Sequence, residues 1–131
     1  LSMKAYFETL NLTGFINWMD VQVQEEHAHA MGMFDYVNSR GGRVKLAAID
    51  APETEWESPL AVFEHILKHE ELVTSLINKV ADVADEVKDR AAAGFLNWYI
   101  KEQVEEDDDK HALLALDKEL ATRTFVAPVI G

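Results

Sequence analysis

Glutamate and histidine residues with a helical spacing occur together in the segment Gln24–Phe34, which reads QEEHAHAMGMF. Glu26 and His29 are three residues apart, so their side chains share one face of a helix and could bind one metal ion, with Glu26 free to bridge to a second. Oxygen ligands combined with one imidazole suit iron or manganese, and sometimes zinc. We expect His27 to point away from this face and to be exposed, and Glu25 to lie beside it.

Acidic residues recur on the face that each long helix should bury. Steps of three and four residues define this face, or seam, in helices that pack against one another. Apolar and aromatic residues such as Met33 and Val80 fill most of the three predicted seams. Their polar members are Gln22, Glu26 and His29 in the first long helix, Glu70 in the second, and Gln103 and Glu106 in the third.

Carboxylates on a buried face need a positive charge, because burying them unpaired costs several kcal/mol each. We find no Lys or Arg on the three seams. A bound divalent or trivalent cation is therefore the simplest compensation, and the alternative is an acidic patch that stays solvated. The three helices taken together favour the metal site.

A second acidic patch follows on the third helix. Glu102, Glu105 and Glu106 have the spacing i, i+3, i+4 and lie next to Gln103. The run Asp107–Asp109 is predicted to be a solvated face. Packing or surface roles, without metal binding, are expected for His65, His69, His111, Trp18, Trp56 and Trp98.

Turn signals divide the first half of the chain into helices. Residues 1–10 read as the end of a helix, and Thr13 is predicted to cap the next one. That helix should run to about Arg40 and end at the glycine pair Gly41–Gly42. Residues 43–57 show little periodicity and predict a long connection, which can make the next helix parallel to the last.

The second half begins with a strong helix-start signal. Ser58 followed by Pro59 gives an N-cap with proline in the first helical position. This helix should reach about Val87, with a break at residues 88–90 before a third long helix. The segment Ala112–Phe125 predicts a short last helix. The expected fold class is all-α, a four-helix bundle with a long crossover connection and a short C-terminal helix.

Composition restricts the possible functions. The chain has 131 residues, 48% of them hydrophobic, which predicts a single domain over residues 1–131. Its net charge of −12 argues against nucleic-acid binding and favours cations. The absence of Cys excludes disulfides, thiolate zinc sites, iron–sulfur clusters and cysteine catalysis. The apolar runs are too short to cross a bilayer and no secretory signal pattern opens the sequence, so a cytoplasmic location is expected.

Four stretches together resemble the prokaryotic non-haem ferritins. They are AYFETLNLTGFINWM, VQVQEEHAHAMGMFDYVNSRGGRVKL, APETEWESPLAVFEHILKHEELVTSLIN and FLNWYIKEQVEEDD, and the likeness extends from Leu1 to about Asp107. The resemblance implies a ferritin-like four-helix bundle that assembles into a cage of about 24 identical subunits. It also implies that the start of the first helix lies upstream of Leu1 and that part of the fourth helix is missing.

The same resemblance implies iron storage with a ferroxidase activity, in which dioxygen or peroxide oxidises Fe(II) to Fe(III) for a mineral store. Glu26 would bridge two irons and His29 would bind the first. Glu70 and Glu106 would hold the second iron, with Gln103 beside the pair. Possible ligands of a third iron are Glu25, Glu102, Glu105 and the shared Glu106. No haem is implied.

Two other classes of protein remain as alternatives. A non-catalytic helical bundle would have a solvated acidic patch and no response to iron. A rubrerythrin-like carboxylate-bridged protein would carry a second Glu-x-x-His motif, where this sequence has Gln103-x-x-Glu106, and often a Cys-rich iron domain. The third-helix motif therefore favours the non-haem ferritin branch.

Overall fold

The computed structural model describes residues 1–115 and 128–129, and these residues form helices and no strand. The helices are α1 (Ser2–Thr9), α2 (Thr13–Ser39), α3 (Pro59–Glu86) and α4 (Arg90–Ala115). The all-α prediction is confirmed. The predicted last helix, Ala112–Phe125, begins within α4, and the rest of it lies outside the described residues.

The described chain divides into two compact units. The first contains α1, α2 and the connection as far as Trp56, and the second contains α3 and α4 from Glu57 onward. The assignment of residues 1–131 to one domain stays a prediction. Within the described ranges, no helix is both long and apolar enough to span a membrane.

Aromatic packing joins α1 to α2 in the first unit. The turn between the two helices contains Asn11 with a positive φ of 55°, a conformation that Asn tolerates better than most residues. The fully buried ring of Phe7 stacks on Phe15, with 5.0 Å between ring centroids. Trp18 is also fully buried, which confirms its predicted packing role. The two helices therefore form a hairpin with an aromatic core.

The predicted cap at the start of α2 is wrong. Thr13 is the first residue of the helix, Leu12 occupies the N-cap position, and no side chain caps the helix. The backbone carbonyl of Leu12 accepts the first helical hydrogen bond, from Ile16, at 3.0 Å. Because the helix begins one residue earlier than a Thr13 cap requires, the threonine lies inside the first turn.

Residues 43–56 form neither helix nor strand, as predicted for a long connection. At the preceding helix end, Gly41 has a positive φ of 77°, which confirms the glycine stop signal after α2. The far end of the connection contacts α1. The Trp56 ring meets Tyr6 edge-on at 5.4 Å, and the Ser2 hydroxyl donates a hydrogen bond to the backbone carbonyl of Glu53.

Helices α3 and α4 form the second unit. Ser58 caps α3 as predicted, since its Oγ accepts a hydrogen bond from the Ala61 N–H at 3.2 Å. Lys88 adopts a positive φ of 57° in the turn, and Asp89 Oδ1 accepts a hydrogen bond from the Ala92 N–H at 3.0 Å at the start of α4. The short turn and the contacts between α3 and α4 make these helices antiparallel neighbours.

Candidate metal centre

Polar side chains meet in the apolar layer between α3 and α4. Glu70 of α3 is 5% exposed, and Gln103 and Glu106 of α4 are 4% and 7% exposed. They continue the same seams that bury Ile66 on α3 and Tyr99 on α4. The prediction that the two helices place these carboxylates on a dry face is confirmed.

The amide of Gln103 connects the two helices. Its Nε2 donates hydrogen bonds to Glu70 Oε2 and to Thr74 Oγ1, each at 3.1 Å. Thr74 lies one helical turn beyond Glu70 on α3. Gln103 therefore fixes the orientation of the Glu70 carboxylate rather than merely lying beside it.

A buried lysine pairs with both carboxylates. Lys110 is 3% exposed, and its ammonium donates a hydrogen bond to Glu70 Oε1 and another, at 3.0 Å, to Glu106 Oε2. The prediction that no Lys or Arg lies on the seams is therefore wrong. Lys110 follows Glu106 by four residues, so it continues the α4 seam by one further turn. The predicted seam ended at Glu106 because the acidic run after it indicated a solvated face.

Electrostatics of this cluster favour the charged form of Lys110. Burial opposes the charge, but the neighbouring charges of Glu106 and Glu70, together with their hydrogen bonds, outweigh it and raise the pKa of Lys110 above its usual value. The pKa of Asp107 is also raised, mainly by burial and by the negative charge of Glu70. Two carboxylates and one ammonium leave the buried cluster with one net negative charge.

On α2, the polar seam residues form a second set of possible ligands. Gln22 Nε2 donates a hydrogen bond to Glu26 Oε1 at 2.9 Å, and Glu26 Oε2 lies 3.6 Å from His29 Nδ1. Gln22 and His29 are buried. The i, i+3 pairing of Glu26 with His29 is therefore present, as the spacing predicted.

The exposure of Glu26 differs from the sequence prediction, which was wrong at this position. Its side chain is 51% exposed, whereas the seam predicted a buried carboxylate. The seam also overestimates burial at Met33 and Val80, which are 36% and 56% exposed. These positions follow the helical period, but the side chains are not covered along the full length of α2 and α3. The carboxylate of Glu26 can therefore be reached by solvent ions.

Of the residues predicted for a third iron, the shared Glu106 belongs to the buried α3–α4 cluster, and Glu25, Glu102 and Glu105 are not part of it. Glu105 is exposed, whereas Glu25 and Glu102 are half-buried. His27 is exposed, as expected, and so are His69 and His111. The α3–α4 unit thus brings together only part of the predicted ligand set, namely Glu70, Gln103 and Glu106.

Donor chemistry allows the two sets of residues to bind iron. Carboxylate oxygens, an amide and one imidazole match the ligand preferences of Fe(II), Fe(III) and Mn(II). The buried Gln22 Oε1 has no hydrogen-bond partner among the described residues, so it is available as an additional oxygen acceptor. Glu70 and Glu106 are already aligned on one cation, the Lys110 ammonium.

Comparisons with known proteins agree on one family. The family model described as Ferritin-like domain matches residues 1–120. A bacterial non-haem ferritin of Bacteroides fragilis (strain 638R) is 46% identical over 107 residues, which cover 82% of this chain and 67% of that protein. The non-haem ferritin of Staphylococcus aureus (strain MRSA252) is 34% identical over 139 aligned residues, covering 95% of this chain and 84% of its own.

Solved structures give the same result for the fold. An Archaeoglobus fulgidus ferritin engineered into a closed form has a TM-score of 0.91 and 47% identity, covering 96% of this chain and 85% of its own. An open-pore ferritin from the same archaeon has a TM-score of 0.87 and 49% identity, with coverage of 95% and 85%. The chain is therefore similar to ferritins in both sequence and fold.

Proposed function

Because this chain belongs to the ferritin-like family, as a prokaryotic non-haem ferritin that stores iron, we propose that it oxidises Fe(II) to Fe(III) at a di-iron ferroxidase centre. The buried Glu70–Glu106 pair is the observation that carries this proposal. Two carboxylates held together away from water favour a multivalent cation, and they favour Fe(III) over Fe(II) because the ion of higher charge gains more from them.

Each ligand has a distinct role in this proposal. Glu70 and Glu106 bind the second iron, and Gln103 orients Glu70 through its hydrogen bond. Glu26 bridges the two irons and His29 binds the first, a role that its pairing with Glu26 Oε2 supports. The family resemblance implies each of these roles.

Iron enters as substrate and leaves as stored ferric ion, so the site must also release it. The half-buried Glu25 and Glu102 and the exposed Glu105 suit a third, transfer site on this route. The electron acceptor is dioxygen or peroxide, as in the family resemblance. The net charge of −12 attracts iron ions to the protein surface, and this attraction weakens as salt is added.

Assembly into a multi-subunit cage of identical copies is the state in which ferritins store a mineral. The similarity to ferritin structures supports such a cage for this chain. We propose about 24 subunits with closed symmetry. Gel filtration tests this directly, because a cage elutes at a far larger size than a single 14.8 kDa chain. The cytoplasmic location stays a prediction from the sequence.

Ferroxidase activity is tested by the rise in ferric absorbance after aerobic addition of Fe(II). Replacing His29 with Ala should slow this rise, because one iron loses its imidazole ligand. The matched control is His27→Ala, since His27 is exposed on the same helix two residues away. An unchanged rate in His29→Ala would remove that residue from the site. Glu105→Ala should alter turnover or iron transfer more than the binding of the first two irons.

A non-catalytic helical bundle is the second candidate function. The observation that favours it is the Lys110 ammonium, which balances part of the buried negative charge without any metal ion. This candidate predicts that the buried Glu70–Glu106 pair binds no Fe(II) tightly and that ferric absorbance rises no faster than in buffer. The iron experiments above therefore separate the two functions.

A further inference from the structure

Lys110 occupies the position between Glu70 and Glu106 where a metal ion would have to bind. Its ammonium donates hydrogen bonds to one oxygen of each carboxylate. We propose that Lys110 is a tethered counter-ion, which holds the two carboxylates together in the iron-free chain and which an incoming iron ion must displace. This inference rests on the proposed function, in which Glu70 and Glu106 bind iron.

Charge balance gives the reason for displacement. The two carboxylates carry two negative charges, and one ammonium neutralises only one of them. A divalent cation neutralises both, and its attraction to two buried carboxylates is correspondingly stronger. The ammonium therefore preorganises the site but is the weaker of the two cations that can fill it.

The displaced ammonium has another partner on the same helix. Asp107 lies three residues before Lys110, so the two side chains share a face of α4. Asp107 is half-buried and already lies within electrostatic range of Lys110. A rotation of the flexible lysine side chain can thus exchange the two glutamates for Asp107 without unfolding α4. This makes Lys110 a positioning residue that sets how tightly the site binds iron.

The first experiment compares Mn²⁺ binding in variants of the assembled, metal-free protein. Mn²⁺ prefers carboxylate oxygens and does not oxidise under these conditions, so affinity is measured apart from turnover. Lys110→Met should bind Mn²⁺ about tenfold more tightly or better, because the competing ammonium is gone. Lys79→Met, which removes an exposed lysine from α3, is the matched control and should bind as the unaltered chain does.

A second measurement works on the unaltered protein, so it does not depend on the folding of a variant. Acetylation of lysines followed by mass spectrometry should show Lys110 strongly protected in the metal-free protein, because it is 3% exposed. Saturating Mn²⁺ should raise its acetylation several-fold relative to Lys79. Continued protection of Lys110 at saturation would mean that the metal binds without displacing it, and would overturn the inference.

Glu70→Gln separates failure of this inference from failure of the proposed function. If Glu70→Gln leaves Mn²⁺ binding unchanged, the carboxylate pair does not bind metal and the proposed function fails with it. If Glu70→Gln weakens binding but Lys110→Met binds no more tightly than the unaltered chain, only the role of Lys110 is overturned.

Discussion

The side chains of Gln103 and Glu70, 33 residues apart in sequence, are joined by a hydrogen bond of 3.1 Å between Nε2 and Oε2. This bond crosses from α4 to α3 beside the buried pairing of Lys110 with Glu70 and Glu106. Both residues are almost fully buried, so the bond is not exchanged for water. In the metal-free protein, the bond already holds the Glu70 carboxylate in one orientation, and the proposed function needs this carboxylate as an iron ligand.

Gln103→Leu should therefore destabilise the metal-free protein. The substitution keeps a side chain of similar size but removes the donor to the buried Glu70 and the half-buried Thr74, leaving both acceptors with fewer partners. We expect a loss of about 1–3 kcal/mol in the free energy of unfolding, measured by chemical denaturation. Gln24→Leu is the control, because Gln24 is exposed on α2, and it should change stability by no more than ~0.5 kcal/mol.

Removing the buried cation should have a larger effect on stability than removing the amide. Lys110→Met leaves Glu70 and Glu106 without their counter-ion, and breaking a buried ion pair on one side costs about 3–5 kcal/mol. The measurement is the free energy of unfolding of metal-free protein. A loss no larger than that of Lys79→Met would contradict the pairing of Lys110 with the two carboxylates.

The pairing of Lys110 with the two glutamates should make the stability of the folded chain decrease at alkaline pH. The pKa of Lys110 is raised in the folded chain, so its stabilising contribution is fully present below the usual lysine value of 10.5 and is lost as pH rises through the higher folded value. Burial also raises the pKa of Tyr99, so its ionisation in the unfolded chain adds to the loss of stability above pH 10. The melting temperature of metal-free protein should fall steeply over this range.

Lys110→Met provides the comparison for that pH series. Its melting temperature should start lower at neutral pH but fall less between pH 10 and higher values, since the contribution of Lys110 to the decrease is absent. Parallel curves for the two proteins would show that Lys110 does not change its charge on unfolding in this range.

Local signals in the sequence predicted the helices well. Ser58 with Pro59 marks the start of α3, and Gly41 with its positive φ follows the end of α2. Both helix ends need a backbone geometry that few other residue types adopt at so low a free-energy cost. Thr13 failed as a cap because several consecutive residues could begin α2. The likeness to non-haem ferritins, read from four stretches, is confirmed by the family match over residues 1–120.

Periodicity predicted the candidate site less completely. The burial of Glu70, Gln103 and Glu106 follows from the seams, but the exposure of Glu26 does not, because a seam gives a direction and not the presence of a covering neighbour. Lys110 was missed although its spacing continues the α4 seam. The three aspartates before it indicated a solvated face, so the seam was not extended to Lys110. The density of charged residues alone does not distinguish a solvated lysine from a buried one.

Anaerobic titration of the assembled protein with Fe(II) is the most direct test of the carboxylate pair as the iron site. Glu70→Gln should weaken Fe(II) binding by about tenfold or more, because one of the two buried charges is lost. Glu71→Gln, which alters the exposed neighbour on the same helix, should bind Fe(II) as the unaltered protein does. Equal affinities in all three proteins would contradict the account.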